Sequence, residues 1–276
     1  MDLSLIIIEY FSVEDVKASV SEFCKKCKGE FSFEIIVSSN SCYPPDRQKE
    51  LQQELPEVRW LFNEKNGGFA YGMNRGLKNA KGNALLISNP DARLKTSLKS
   101  ALDFLGSHPD CGILGVRIED SSGVLQDSCR EFMWPMEMLY RQLIRFFLSK
   151  DVLIDKKMDY TKIQTVDWII GAFILMRRDV YEKVGGLDEG YFLYVEDMDL
   201  NYRVRNEGYQ VYYFPEVIVE YKGDRKSTKA LFQKKKLISR YAFKHLKSYI
   251  RFLRKFYLQH LFHTRCSKKT TSNQFI

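Results

Sequence analysis

The stretch Asn83-Ala-Leu-Leu-Ile-Ser-Asn-Pro-Asp91 joins a short apolar segment to an acidic turn. An apolar run of this length, bounded by turn residues, favours a buried β-strand. Pro90 fixes its own φ and keeps Asn89 extended, so Asp91 is presented rigidly where the strand ends. The Asn-Pro-Asp sequence is also that of an ordinary β-turn. Asp91 is therefore either a turn residue or an oxygen ligand for a hard divalent cation such as Mg²⁺ or Mn²⁺.

Strand-like and helix-like patterns alternate on both sides of this stretch. The predicted strands are residues 3–8, 33–37, 58–62, 83–87 and 112–116, and the predicted helices are residues 13–27, 69–80 and 97–105. Such alternation is typical of βαβ units, which form a mainly parallel sheet with right-handed crossovers. Ligands bind outside the carboxyl ends of strands in these sheets. The sequence therefore predicts an α/β fold with one cleft, bordered by residues 9–10, 38–40, 63–68 and 89–91.

The glycines beside this cleft exclude two common nucleotide-binding motifs. Gly67, Gly68, Gly72 and Gly76 do not match G-x-G-x-x-G, and G-x-x-x-x-G-K-[ST] occurs nowhere in the chain. A nicotinamide dehydrogenase and a P-loop phosphotransferase are therefore disfavoured. Gly67 and Gly68 instead permit close approach of a ligand to the backbone.

A second acidic motif lies in Tyr191-Phe-Leu-Tyr-Val-Glu-Asp-Met-Asp-Leu-Asn-Tyr-Arg203, which places three carboxylates behind a run of aromatic residues. Desolvation and like-charge crowding oppose ionisation of all three, so at least one of Glu196, Asp197 and Asp199 should have a raised pKa and could act as a general base. Alternatively, these acids occupy the first turn of a helix and interact with its dipole. The acidic turn at residues 88–91 favours the catalytic interpretation.

Composition indicates one sizeable α/β domain with an appendage, because the chain has 276 residues and is 45% hydrophobic. From residue 222 onward there are 16 Lys or Arg residues and one acid, within a chain of net charge +8. Apolar residues interleave with these bases between residues 231 and 262. The pattern predicts basic amphipathic helices that either contact an anionic membrane or pack on their own domain. No nucleic-acid-binding module is recognisable, so we expect no nucleic-acid partner.

The six cysteines predict neither a zinc site nor a redox motif, because a redox C-x-x-C would lie at the start of a helix and the one in this chain lies at the end. Only Cys24 and Cys27 have C-x-x-C spacing, and no second pair or nearby His completes a ligand set. Residues 3–8 are flanked by Asp2 and Glu9, which indicates a strand and not a signal peptide. The longest other apolar stretch, residues 168–176, is far short of the roughly 20 residues that span a bilayer. We expect a cytoplasmic protein with reduced thiols.

Six motifs in order resemble the family 2 glycosyltransferases, and most closely their rhamnosyltransferase-like branch. They are Glu34-Ile-Ile-Val37 with Asn40-Ser41, Asn66-Gly-Gly-Phe-Ala-Tyr-Gly-Met-Asn-Arg-Gly76, Leu86-Ile-Ser-Asn-Pro-Asp91, Val166-Asp-Trp-Ile-Ile-Gly-Ala172, Gly185-Gly-Leu-Asp-Glu189 and Tyr194-Val-Glu-Asp-Met-Asp-Leu200. The resemblance implies a GT-A type fold, with a Rossmann-like open sheet and flanking helices. It also implies inverting, Mg²⁺- or Mn²⁺-dependent transfer of a hexosyl or deoxyhexosyl group. The implied donor is a UDP- or dTDP-linked sugar, and the implied acceptor is a hydroxyl of a lipid-linked saccharide or polysaccharide in cell-surface glycan synthesis.

The resemblance also assigns roles to individual residues. Asp197 is implied as the catalytic base and Asp91 as a metal ligand, with Glu220 in the place of the metal-binding His of the family. The residues implied to bind the donor are Glu9, Tyr10, Ser39, Asn40, Asn66, Gly68, Asn74, Asn89 and Asp91. The residues implied to bind the acceptor are Trp168, Gly171, Ala172 and Glu196.

Two departures from the family pattern leave an alternative open. Ser39 stands where the family usually has an Asp that holds the nucleotide base, and Glu220 replaces a His. The chain is therefore either an active transferase or a catalytically degenerate scaffold that binds nucleotide-sugar or a partner protein.

We expect residues 1–221 to form the nucleotide-sugar transferase domain, with a donor half at about 1–116 and an acceptor half at about 117–221. Residues 222–264 should form a basic helical extension and residues 265–276 a disordered tail. Residues 122–159 lack a clear period, and we expect them to cover the acceptor site as a mobile insertion. The basic extension suggests peripheral contact with the inner face of the cytoplasmic membrane.

Overall fold

A computed structural model gives the structure of the chain and describes residues 1–130, 158–221 and 235–258. Most of the expected insertion at 122–159 and the expected disordered tail at 265–276 lie outside these described residues, as does the start of the basic extension. The chain divides into two compact units. The first comprises Met1–Phe132, Leu153–Phe192 and Glu196–Asp224, and the second comprises Met133–Val152, Leu193–Val195 and Arg225–Ile276.

Strands and helices alternate through most of the first unit. In chain order its described elements are β1 (Leu3–Glu9), α1 (Val13–Cys27), β2 (Phe33–Ser39), α2 (Pro45–Glu54), β3 (Val58–Phe62), α3 (Phe69–Asn79), β4 (Ala84–Ser88), β5 (Ala92–Leu94), α4 (Lys99–Ser107), β6 (Cys111–Glu119), β7 (Cys129–Arg130), β8 (Gln164–Val166), β9 (Trp168–Ile169), β10 (Phe173–Arg177), α5 (Arg178–Val184), α6 (Glu196–Asn206) and β11 (Gln210–Tyr221). The predicted bounds of α1 and β3 agree with the structure, and most of the other predicted elements differ from it by one or two residues.

The main sheet has the strand order β3-β2-β1-β4-β10-β6-β11-β5, with β8 also paired to β11. Strands β3, β2, β1 and β4 are parallel, and so are β6 and β11, whereas β10 runs antiparallel between β4 and β6. This mixed, mostly parallel open sheet with flanking helices confirms the predicted fold class. Glu9, Ser39 and Phe62 are register neighbours at the carboxyl ends of β1, β2 and β3. The carboxyl ends of these strands therefore meet at one edge of the sheet, as predicted, and the ends of β1 and β2 there are polar.

Helices cover both faces of this sheet, so its central strands are buried throughout. Leu5 and Ile7 of β1 belong to the same apolar cluster as Val20 of α1. Ile6, between them, belongs to the opposite cluster together with Met73 of α3. Alternate side chains of a strand point to opposite faces, so a strand covered on both faces is a continuous apolar run. This packing explains why β1 and β4 are apolar at nearly every position.

The second unit contains α7 (Lys235–Leu253), which continues as a π-helical turn (Arg254–Leu258). Within this unit the Ser248 hydroxyl donates a hydrogen bond to the Leu193 carbonyl at 3.1 Å, and the rings of His245 and Tyr194 lie 5.3 Å apart. This helix confirms the helical part of the predicted extension. In the part of the chain that the structure describes, no helix combines the length and apolar character needed to cross a bilayer.

Candidate active site

The Asn-Pro-Asp sequence forms a closed turn at the carboxyl end of β4. The Ala92 N–H donates to the Asn89 carbonyl at 3.2 Å, which places Pro90 at the second position of the turn. The backbone N–H of Asn89 donates to the Ala172 carbonyl at 2.9 Å. Its side-chain amide donates to the Tyr221 hydroxyl at 3.0 Å. Asn89 therefore fastens the turn to two neighbouring segments and leaves Asp91 at its apex, partly exposed.

Asp91 and Glu220 have different surroundings, and this bears on which of them can hold a cation. Glu220 lies opposite Arg93 in the pairing of β11 with β5 and forms an ion pair with Lys95. Within the described ranges, no three His, Cys, Asp or Glu side chains are grouped so that they could hold a metal ion. Mg²⁺ is commonly bound by one or two carboxylates together with substrate phosphates and water. Asp91 fits that kind of shared site, whereas the described residues do not provide an all-protein cage.

Glu9 is fully buried at the end of β1 and accepts four hydrogen bonds. Its Oε2 accepts from the hydroxyls of Ser39 at 2.5 Å and Ser41 at 2.8 Å. Its Oε1 accepts from the Ser12 N–H at 2.8 Å and the Tyr43 hydroxyl at 3.1 Å. Because each oxygen has two donors and neither is exposed, Glu9 holds the loops after β1 and β2 together and does not face the cleft directly.

The two aromatic residues that follow Glu9 in the chain are exposed to solvent. Tyr10 and Phe11 are 55% and 67% exposed, and their ring centres are 4.8 Å apart. Phe11 has a φ of +50°, and its N–H donates to the Ser41 hydroxyl at 2.7 Å. The Tyr43 ring packs against the Phe11 ring edge to face at 6.0 Å. Sequence reasoning named Tyr10 but missed Phe11 and Tyr43, which the β1–β2 register brings together.

The predicted donor residues after β2 and β3 form one hydrogen-bonded group. The Asn40 side-chain amide donates to the Gly68 backbone carbonyl at 2.9 Å, and the side-chain oxygen of Asn66 accepts from the Gly68 N–H at 3.0 Å. Asn63, at the end of β3, donates to the Asn40 side-chain oxygen at 2.8 Å. Gly68 has a φ of +94°, and a Cβ built on it would lie 2.3 Å from the Phe192 carbonyl oxygen. Only glycine fits this approach without movement.

Asn74, which was also predicted to bind the donor, contacts the segment 187–189. It is buried on α3, where its amide donates to the Leu187 carbonyl at 2.8 Å and to Glu189 at 3.0 Å. Its side-chain oxygen accepts from the Leu187 N–H at 3.0 Å. These contacts fasten the 187–189 segment to α3.

The first turn of α6 carries the predicted catalytic acids in three different environments. Asp197 accepts hydrogen bonds from the backbone N–H groups of Gly171 and Met198, both at 2.8 Å. Asp199 is fully buried and accepts from the Tyr191 hydroxyl at 3.1 Å and from Arg203 at 2.6 Å. Asp199 is therefore a structural anion.

Glu196 is also buried, and among the described residues its Oε2 has no hydrogen-bond partner. Burial, and then the neighbouring charge of Asp197, raise the pKa of Glu196 to about 8. Burial raises the pKa of Asp197, and the N–H groups of Gly171 and Met198 oppose that shift. Both pKa values are thus raised, and the two N–H groups favour the charged form of Asp197, whereas Oε2 of Glu196 lacks such a donor among the described residues. Of the two carboxyl groups, Glu196 is therefore the one that favours the protonated form.

Two neighbouring residues connect the acidic motifs. The Gly171 N–H binds Asp197, and the Ala172 carbonyl binds the Asn89 N–H of the Asn-Pro-Asp turn. A Cβ on Gly171 would lie 3.3 Å from the Cβ of Asp197, so a larger residue would crowd the carboxylate. Trp168, also predicted at the acceptor side, is 8% exposed, with the Arg130 guanidinium 5.4 Å from its ring centre. One segment therefore connects the strand-end turn to the candidate base.

The chain also matches a known protein family. The family model described as glycosyltransferase-like family 2 matches residues 12–240, most of the chain. The chain belongs to this family.

One relative within glycosyltransferase-like family 2 is the N-acetylglucosaminyl-diphospho-decaprenol L-rhamnosyltransferase of Mycobacterium tuberculosis. It is 27% identical over 210 residues, which cover 66% of this chain and 64% of the relative. The chain therefore matches less than two thirds of the length of that relative.

Two solved glycosyltransferase structures share the fold. GalNAc-T7 with UDP, GalNAc and Mn²⁺ superposes with a TM-score of 0.60 and 13% identity, covering 80% of this chain and 44% of that protein. The mannosyltransferase PcManGT from Pyrobaculum calidifontis, in complex with GDP-Man and Mn²⁺, superposes with a TM-score of 0.56 and 15% identity. That match covers 83% of this chain and 59% of PcManGT. Both comparisons support the GT-A fold of this family 2 chain.

In this member of glycosyltransferase-like family 2, the carboxylate at the carboxyl ends of β1 and β2 is that of Glu9, the last residue of β1. Ser39 of β2 donates to Glu9 from the register-matched position. The sequence shows both residues, but only the strand pairing shows that they meet.

Proposed function

We propose that this chain is an inverting glycosyltransferase, which moves a hexosyl or deoxyhexosyl group from a nucleotide-diphosphate sugar to a hydroxyl of a lipid-linked saccharide or polysaccharide. The strongest support comes from two adjacent residues. Gly171 donates its N–H to Asp197, and the Ala172 carbonyl accepts from the N–H of Asn89 in the Asn-Pro-Asp turn. The segment 171–172 therefore contacts both the candidate base and the candidate diphosphate-binding turn. The lipid-diphosphate acceptor in the name of the mycobacterial relative supports the acceptor class.

The proposed reaction is a single displacement. The acceptor oxygen attacks the anomeric carbon, the bond from that carbon to the diphosphate oxygen breaks, and Asp197 takes the hydroxyl proton. Glu196 stays protonated, so the adjacent Asp197 can be ionised at neutral pH. The configuration at the anomeric carbon inverts, and no covalent intermediate forms.

Asp91 would hold a divalent cation together with the donor diphosphate. Bound there, Mg²⁺ or Mn²⁺ would neutralise charge on the departing diphosphate. Mn²⁺ in the two solved relatives supports this class of ion. Glu220 is a weaker candidate ligand because Lys95 already pairs with it. Tyr10, Phe11 and the group around Asn40 would bind a UDP- or dTDP-linked donor.

The basic helix α7 extends the proposal to a membrane surface. Leu246 and Ile250 are 52% and 47% exposed, one turn apart, and Lys247 and Arg251 follow them. Exposed apolar residues beside bases are typical of helices that lie on anionic bilayers. We propose peripheral contact with the inner face of the cytoplasmic membrane, where lipid-linked acceptors would be reached.

The metal role of Asp91 predicts the outcome of a binding experiment. Asp91→Ala should abolish Mn²⁺-dependent affinity for UDP or dTDP and leave the fold intact, because the side chain is partly exposed at the turn apex. Calorimetric titration with and without Mn²⁺ measures this, and circular dichroism checks the fold. Unchanged Mn²⁺-dependent affinity in the variant would exclude Asp91 as a ligand.

A turnover assay separates the transferase from a degenerate scaffold. Wild-type protein with UDP- and dTDP-sugars and Mn²⁺ should hydrolyse or transfer the sugar. A scaffold would bind a donor and release no nucleoside diphosphate.

A further inference from the structure

Arg93 is a buried cation two residues after Asp91, and neither acidic motif includes it. It is 7% exposed on β5. Its Nη1 donates to the Pro90 carbonyl at 2.6 Å and, more weakly, to the Ala92 carbonyl at 3.3 Å. Its Nη2 donates to the Asp15 carboxylate on α1 at 3.0 Å. The guanidinium therefore bridges the Asn-Pro-Asp turn to a helix.

The Pro90 carbonyl belongs to the peptide group that leads into Asp91. Rotation of this peptide plane would redirect Asp91, so a donor on the Pro90 oxygen fixes the direction of the carboxylate. The other carbonyls support the same conformation. Asn89 accepts from the Ala92 N–H at 3.2 Å, and Ala92 accepts from the buried Ser19 hydroxyl of α1 at 2.9 Å.

We propose that Arg93 is a positioning residue for the donor diphosphate, and that it acts with Asp15 to fix the orientation of Asp91. This inference rests on the proposed role of Asp91 in the transferase. Arg93 itself does not contact the donor in this proposal. Arg93 instead restricts the turn to the conformation that it has when the donor is bound. Less conformational entropy is then lost on binding, so the affinity for the donor is higher.

Lysine cannot replace this arginine in both contacts. A guanidinium is a planar fork that binds the carbonyl and the carboxylate at once, whereas an ammonium is a single point charge. Arg93→Lys retains the charge that Asp15 requires but loses one arm of the bridge. Residues that orient ligands in this way typically change affinity 10- to 100-fold when altered.

The first test compares Arg93→Lys with Arg177→Lys by calorimetric titration of UDP and dTDP, with and without Mn²⁺. Arg177 is a matched control because it also donates to a proline carbonyl, that of Pro109 at 3.4 Å, and to a carboxylate, that of Asp179 at 2.8 Å. Arg93→Lys should lose about tenfold in Mn²⁺-dependent affinity and little in metal-free affinity. Arg177→Lys should bind as wild type does. Equal losses with and without Mn²⁺ in Arg93→Lys would show a general effect on the fold and overturn the proposal.

A second test distinguishes this inference from the proposed function. If Arg93 acts through Asp91, adding Arg93→Lys to Asp91→Asn should cause no further loss of affinity, because the two effects share one path. Additive losses would contradict the inference. If Asp91→Asn weakens Mn²⁺-dependent binding but Arg93→Lys does not, only the role of Arg93 fails. If neither variant weakens it, the metal role of Asp91 fails as well.

Discussion

Glu196 and Asp197 are adjacent in the chain, yet their hydrogen bonds give them opposite properties. Two backbone N–H groups stabilise the charge on Asp197, while Glu196 is buried with an oxygen that has no partner among the described residues. A neutral Glu196 costs less than a buried carboxylate placed next to the charge of Asp197. Crowding of acids was predictable from the sequence. Which acid keeps the proton depends on Gly171, 25 residues away from Glu196 in the chain, and required the structure.

Glu196→Gln should change how stability depends on pH. An unfolded Glu ionises near 4.5 and folded Glu196 near 8, so the folded state binds the extra proton between these values. Its contribution is fully present below pH 4.5 and is lost as pH rises towards 8. The slope is at most about 1.4 kcal/mol per pH unit for this group.

Melting temperatures of wild type and Glu196→Gln between pH 5 and about 9 measure this effect. The variant should lose less stability than wild type as pH rises, whereas the exposed control Glu57→Gln should follow wild type. Parallel curves for wild type and Glu196→Gln would show that Glu196 is already ionised at neutral pH.

At the scale of elements, the strand ends determine the site. Continuous apolar runs made β1 and β4 predictable, as did the alternation that identified α1 and β3. Helix α2 was missed because Leu51 is its one buried residue, so it has no apolar stripe. Strand β10 was not predicted, because residues 168–176 form one continuous apolar stretch in which no strand boundary is visible. The contacts of Glu9 were likewise unpredictable, since they depend on the register of β1 and β2.

Gly68→Ala tests the turn that precedes α3. Its φ of +94° disfavours any side chain, and the new Cβ would collide with the Phe192 carbonyl. We expect a loss of about 1–3 kcal/mol in stability, together with weaker UDP or dTDP binding. Gly106→Ala in α4 is the matched control, since its Cβ would meet no atom within 4 Å. That change should be neutral or stabilise by up to about 1 kcal/mol. Equal stability of the two variants, measured by chemical denaturation, would argue against a strained turn at Gly68.

At the scale of the whole molecule, charge is divided between an acidic portion, residues 1–221, and a basic end. Sixteen bases and one acid from residue 222 onward predict strong, salt-dependent attraction to anionic surfaces. The fold class was predictable because several motifs occurred in the right order. The conformation of the basic end beyond α7 lies outside the described residues.

Truncation before residue 231 should release the protein from anionic vesicles. Each base near such a surface contributes about 1 kcal/mol, so the full chain should bind phosphatidylserine vesicles at low salt and dissociate as salt rises. Vesicle co-sedimentation measures binding, with neutral phosphatidylcholine vesicles as the control. Failure of the full chain to bind anionic vesicles at low salt would indicate that the basic helix serves only packing.

In the proposed mechanism Asp197 removes the acceptor proton, and Asp197→Asn tests this role most directly. The amide has nearly the same shape, but it cannot take the proton, and its NH2 would face one of the two backbone N–H groups that donate to Asp197. Sugar transfer should therefore fall about 10²–10⁴-fold, and donor affinity separates loss of the base from a displaced 171–172 segment. Asp199→Asn is the matched control, because Asp199 accepts hydrogen bonds from Arg203 and Tyr191. This substitution should therefore lower stability more than the transfer rate. The measurement is transfer rate on one donor and acceptor for both variants, with donor affinity determined in parallel. Near wild-type transfer by Asp197→Asn would contradict this account of the mechanism.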